Sequence, residues 1–214
     1  MHTAAPGSRM RTLAGVAAAL ILVVFGMAAV VKGIDGRSTV RDALALEAVK
    51  GEAGMTPSAI AGKAKAAHLT GVELPTCSAE GKAIDNGSDA RCFAQYMRVD
   101  ALLATGGKTY AQMPRFASKD GKGTDDEAQA IKFPNGVGMP NPARNVWITE
   151  TALSTALNTS YMAEQISLFG IAVGGAFLLV GLAFGAVALG AIKLPSRMPS
   201  RARAPQAEKA PQMA

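Results

Sequence analysis

The run from Ile166 to Ile192, ISLFGIAVGGAFLLVGLAFGAVALGAI, holds twenty-seven consecutive residues without a charged side chain. A hydrocarbon core of about 30 Å is crossed by ~20 apolar residues of helix at about 1.5 Å each. The run is long enough to span a bilayer with tilt, and soluble core helices of this length without an ionisable group are rare. A second run, Thr12 to Val31, has twenty residues and no charge. Together they predict transmembrane helices at 12–31 and 166–192, leaving 32–165 to fold in water.

Charge then sets the expected topology. The chain carries a formal net charge of +6, yet Gly36 to Ala163 contains fourteen Lys and Arg against thirteen Asp and Glu. A nearly neutral middle offers no footprint for a polyanion, so nucleic acid is excluded as a partner. The excess lies at the ends: Arg9 and Arg11 precede the first run, and Lys193, Arg197, Arg201, Arg203 and Lys209 follow the second against Glu208 alone. By the positive-inside rule, tails 1–11 and 193–214 are cytoplasmic and 32–165 is extracytoplasmic, in a multi-pass protein of the cell membrane. The Pro, Ala and basic composition of the last tail reads as disorder near anionic lipid. A signal peptide ending at Gly26-Met27-Ala28 is the rival reading of the first run. Cleavage there would leave one span, while the continuation through Val31 favours an uncleaved anchor.

Neither run contains Asp, Glu, Lys, Arg or His, which argues against a proton relay, an ion path or a transporter. Gly15-x3-Ala19 on the first run, with Gly170-x3-Gly174 and Gly181-x3-Gly185 on the second, would allow backbones to approach closely. They mark either a helix seam, within the chain or with a partner, or the ordinary abundance of Gly and Ala in membrane helices.

In the middle segment, Thr39-Val-Arg-Asp42 resembles a capping box and predicts a short helix to about Lys50. Thr56-Pro57 supplies a cap and first-turn proline for a second helix ending near Thr70-Gly71. Val72 to Ala90, rich in turn formers, reads as a loop between Cys77 and Cys92, the only cysteines. An isolated pair in an oxidising compartment is expected to form a disulfide, worth roughly 3 kcal/mol for a loop of about 15 residues. A redox centre or metal site is the rival, disfavoured by the absence of C-x-x-C and by only two histidines, His2 and His68. From Arg91 a third helix places Cys92, Tyr96, Val99 and Leu103 on one face and stops at Gly106-Gly107. The following residues read as a surface loop with a helical turn near Asp125 to Ile131. Asn141 and Pro142 open a last helix that runs unbroken into the second span. Val146, Glu150, Leu153, Leu157 and Tyr161 lie along one side of it, facing an extension of the first span, and Trp147 reads as a packing residue.

Other motifs are weak. Asn86-Gly-Ser88 and Asn158-Thr-Ser160 match the glycosylation acceptor pattern at a length frequent by chance. Thr105-Gly-Gly-Lys-Thr109 lacks the first glycine of a phosphate loop and reads as a helix stop. His68 reads as an ordinary helix-surface residue with no third group to orient it. No catalytic, cofactor-binding or metal-binding residues are predicted.

The blocks CFAQYMRVDALLATGGKTYAQMPR (Cys92 to Arg115) and TETALSTALNTSYMAEQISLFG (Thr149 to Gly170) resemble a group of small uncharacterised actinobacterial two-span membrane proteins, and the likeness covers most of residues 12–192. Members often carry the automatic label of aromatic ring-opening dioxygenase. Extradiol cleavage uses an iron held by two His and a carboxylate, whereas His2 and His68 would lie on opposite sides of the membrane here. The resemblance implies membrane location and the cysteine pair, and brings no activity.

The expected fold is mainly α, with two transmembrane helices, an extracytoplasmic helical stalk and a small disulfide-closed head. The expected role is non-enzymatic: an accessory or scaffold subunit held in the lipid bilayer and binding another membrane protein or a second copy of itself. The alternative is an anchored ligand-binding or sensing module.

Overall fold

The computed structural model describes residues 6–190 and is mainly helical, with only isolated β-bridges among the described residues. Residues 1–5, His2 among them, and 191–214, which hold the end of the predicted span 166–192 and the tail 193–214, lie outside the described residues. Four α-helices follow in order: α1 Pro6–Glu47, α2 Pro57–Ala66, α3 Gly87–Ala104 and α4 Ala143–Ala188. A single 3-10 turn occupies Tyr110–Gln112.

Helices α1 and α4 have 42 and 46 residues, and each is long and apolar enough to cross a membrane. Only 11% of the most apolar stretch of each is buried, where a core helix of a soluble protein would be mostly covered. Leu20, Phe25, Phe169 and Leu182 point outward, each more than half exposed.

The chain divides into two compact units, one made by residues up to Val24 together with those from Leu178, the other by Phe25–Phe177. In the first, the start of α1 runs antiparallel to the end of α4. A Cβ on Gly15 would lie 3.0 Å from Ala188 Cβ, and one on Gly181 would lie 2.9 Å from Val23 Cγ2 and 3.1 Å from Ala19 O.

In the second unit α1 continues beyond Lys32 without a break, against the expectation of a separate short helix capped at Thr39. Ser38 and Thr39 hydroxyls both donate to the Asp35 carbonyl at 2.9 Å, the back-bonding of residues inside a helix. Gly33 and Gly36 do not stop it because they are contact points: Cβ atoms there would lie 2.6 Å from Ser167 O and from Ser167 Oγ respectively. The helix ends at Glu47, and Ala48 turns left-handed at φ 51°.

Thr56 caps α2 by accepting the Ala59 N–H at 3.3 Å, with Pro57 in the first turn as predicted. The helix stops at Ala66, short of Thr70, because His68 takes φ 54°, so this histidine is a helix terminator and not a helix-surface residue. Helix α3 begins at Gly87, four residues before the predicted Arg91. Asn86, read as a turn former, is its N-cap and accepts the Asp89 N–H at 3.0 Å. Gly106 and Gly107 end it at φ 61° and 78°. Asn141 opens α4 by accepting the Ala143 N–H at 3.1 Å.

The main core gathers Leu44, Met55, Ile60, Ile84, Cys92, Tyr96 and Val99, and a smaller one gathers Ala101, Leu102, Met113 and Trp147. Residues 114–140 fold back on themselves through bridges of Phe116 with Thr124 and Pro140, and of Lys132 with Gly138.

Candidate functional site

Cys77 and Cys92 are joined in a disulfide that fastens the loop before α3 to the buried face of that helix. Tyr96, one turn on and fully buried, donates its hydroxyl to the Cys77 carbonyl at 2.7 Å. Burial, and then the charge of Glu80, push the Tyr96 phenol above its ordinary pKa. The phenol therefore stays a donor, and the contact is a structural fastening.

A second fastening centres on Glu164, which is 4% exposed. Its Oε1 accepts from Arg37 Nε at 2.9 Å and lies 3.7 Å from Arg41 Nε, while Oε2 accepts the Gly87 N–H at 2.6 Å. One carboxylate thus binds two arginines a turn apart on α1 and one of the unpaired N–H groups at the start of α3. Burial raises its pKa, but the Arg37 and Gly87 hydrogen bonds and the charges of both arginines outweigh that and leave it lowered. Gly87 has to be glycine, since a Cβ would meet Glu164 Oε2 and Tyr161 Cα at 2.8 Å. The sequence held a signal for this cluster: Glu164 is the last acid before the charge-free run, and Arg37 and Arg41 share a helix face.

Of the four glycines singled out on the second span, Gly174 and Gly181 are buried in close approach. A Cβ on Gly174 would lie 2.7 Å from Gly26 O. Gly170 and Gly185 have room: the nearest atoms would be Ala29 O at 3.7 Å and Ala19 Cβ at 3.6 Å. The partner glycines Gly26, Gly33 and Gly36 on α1 carry the same signal: with Gly15 and Ala19 they recur at spacings of four, seven, seven and three residues, which keep to one helix face.

Among the described residues no group of three or more His, Cys, Asp or Glu is arranged to hold a metal ion. His68 makes no part of any cluster described above.

A groove runs along the junction of α3 and α4. Its apolar half, about 540 Å³, is lined by Leu44, Val49, Ile84, Phe93, Met97 and Leu157 among others. Its open half, about 610 Å³, shares Phe93 and Met97 and adds Met55, Val146 and the carboxylates Glu52, Asp100 and Glu150. From Asn145 to Ser160 the α4 lining runs about 22 Å at 1.5 Å per residue. Val146 and Leu153 border this groove, at 36% and 48% exposed, so the apolar stripe predicted on α4 does not all turn inward. The most buried residue of that segment is Trp147, 3% exposed, whose Nε1–H donates to the Lys108 carbonyl at 2.8 Å. Of the predicted stripe Glu150 is buried and Leu157 and Tyr161 are half-buried, whereas in the first turn the inward place belongs to Trp147, the expected packing residue, and not to Val146.

No protein-family profile, curated protein or solved structure matches the chain.

Proposed function

We propose that this chain is an integral protein of the cell membrane, spanning it with α1 and α4, with both ends cytoplasmic and the 32–165 segment outside. In this reading it is a membrane-anchored binding module and carries out no catalysis. The observation that supports the role is the groove: a cavity of about 540 Å³ lined mainly by apolar side chains falls in the size range of small-molecule sites. The small-residue faces, by contrast, are occupied by contacts within the chain, at Gly33 with Ser167 and Ile171, and at Gly174 with Gly26 and Val30. The Lys and Arg excess outside the two charge-free runs supports the topology.

A second reading, an accessory subunit that docks another membrane protein, is favoured by Leu46 and Ile148, which are 86% and 56% exposed on the extramembrane parts of α1 and α4.

Purification in mild detergent followed by native mass spectrometry separates the two. The binding-module reading expects a retained small molecule that is lost when Leu157→Trp fills the groove. A protein partner of fixed stoichiometry would establish the second reading instead, and an empty solitary chain would overturn both. For topology, thiol labelling of intact cells is expected to reach Cys77 and Cys92 only after reduction by an external reductant. Labelling that requires permeabilisation would overturn the exported middle.

A further inference from the structure

The two halves of the groove differ in chemistry. Leu44, Val49, Ile84, Phe93, Met97 and Leu157 make one half apolar, and the polarisable, flexible Met97 suits it to an unbranched chain. Four carboxylates line the groove as a whole, Glu47 in the apolar half and Glu52, Asp100 and Glu150 in the open half, and no Lys or Arg lines either. None of the four belongs to an ion pair among the described residues.

Glu150 is the telling member. It is 5% exposed, and its one hydrogen bond comes from the hydroxyl of its neighbour Thr151 at 3.3 Å. Arg91 and Arg98 line a separate, smaller cavity together with Glu150 but make no ion pair with it, and lie over aromatic rings at 4.7 Å from the Tyr161 centroid and 5.4 Å from that of Trp147. A buried carboxylate facing a cavity without a cation partner is costly unless something fills the cavity with positive charge. Burial above all raises the Asp100 pKa; the charge of Lys63 pulls it down and the weaker influence of Glu52 pushes it up.

The geometry points to an amphiphile as the ligand, with an apolar chain lying against Leu44, Ile84, Phe93 and Leu157 and a protonated amine head held among Glu52, Asp100 and Glu150. This rests on the binding-module reading and adds the ligand's charge and shape. A neutral amphiphile would leave the carboxylates facing one another, and an anionic one would be repelled. Along α4 the apolar half, Leu153 to Ser160, lies between the acidic half and the charge-free run, so a chain leaving the bilayer meets the apolar lining first.

The test uses the full chain in phosphatidylcholine nanodiscs with three photo-crosslinking probes that share a twelve-carbon diazirine chain and end in an amine, an alcohol or a carboxylate. The amine probe is expected to label Phe93, Met97 or Leu157 saturably. Its half-saturating concentration is expected to be about tenfold below that of the alcohol, the advantage of one partly desolvated charge contact. Glu150→Gln is the direct variant but alters a buried position. The double variant Glu52→Gln with Asp100→Asn leaves Glu150 in place and is expected to narrow the amine's advantage over the alcohol, with helical content and melting unimpaired. Equal saturation by amine and alcohol, or an amine response unchanged in the double variant, overturns the proposal and leaves the binding-module reading intact. Absence of saturable groove labelling by all three probes overturns both.

Discussion

Glu164 Oε2 accepts the Gly87 N–H at 2.6 Å, so a carboxylate of α4 caps a helix that begins 77 residues earlier. With Arg37 on its other oxygen, it ties α1, α3 and α4 at one point.

Removing that carboxylate leaves two arginines and a helix start without their partner. Glu164→Ala is expected to destabilise the detergent-solubilised protein by about 3 kcal/mol, and Glu164→Gln by less, since the amide oxygen still accepts from Gly87. Melting followed by far-UV circular dichroism measures both. The pH dependence has a definite sign. Because the folded pKa lies below the ordinary carboxylate value, the contribution is complete above that value and is lost as pH falls through the folded pKa. The difference between wild type and Glu164→Gln should therefore be full at pH 7 and shrink on acidification below the usual carboxylate range.

The seam glycines divide into two groups by distance. Gly33→Ala and Gly174→Ala would press a methyl onto backbone atoms, Ser167 O at 2.6 Å and Gly26 O at 2.7 Å, and are expected to cost about 1–3 kcal/mol. Gly170→Ala and Gly185→Ala meet ordinary contact distances and are expected to stay within about 0.5 kcal/mol of wild type. Equal losses in all four would show that helix separation is not what these positions set.

For the cysteine pair, replacing Cys77 and Cys92 by Ser is expected to lower stability by about 3 kcal/mol for the 15-residue separation it spans. Tyr96→Phe removes the bond to the Cys77 carbonyl and is expected to cost about 1 kcal/mol. Chemical denaturation with and without reductant separates the two, since the Tyr96→Phe loss should persist in the oxidised protein.

Trp147 is the single tryptophan, so intrinsic fluorescence reports on the α4 face against Leu102 and Met113. A blue-shifted emission that moves red on unfolding is expected. Arg98→Ala, which removes the guanidinium from over the indole, is expected to change the native intensity without unfolding the protein, within about 1 kcal/mol. A fluorimeter and a parallel melting curve decide it.

The features legible from sequence were those set by local chemistry. Thr56-Pro57 and Asn141-Pro142 announced helix starts because cap and proline act within one turn, and the charge-free runs announced themselves by length. The readings that failed depended on what lay across from a residue. Thr39-Val-Arg-Asp42 suggests a fresh helix start because a capping-box pattern does not say that the helix before it continues, and here Gly33 and Gly36 carry that helix past Ser167. Asn86 looked like a loop residue because Asn serves turns and N-caps alike, and the start of α3 is fixed partly by Glu164, far along the chain. The groove was not legible at all. Its lining comes from four segments, and neither Glu52 nor Glu150 signals in sequence that it faces the same space.

The Glu164 contact also orders the making of this protein. A ribosome emits Cys77, Cys92 and the whole of α3 well before residue 164, so the disulfide loop can close on the nascent chain while the N-terminus of α3 still waits for its acceptor. The keystone arrives with the segment that starts the second apolar run, after the whole of α3, and until then Arg37, Arg41 and the Gly87 N–H lack this acceptor.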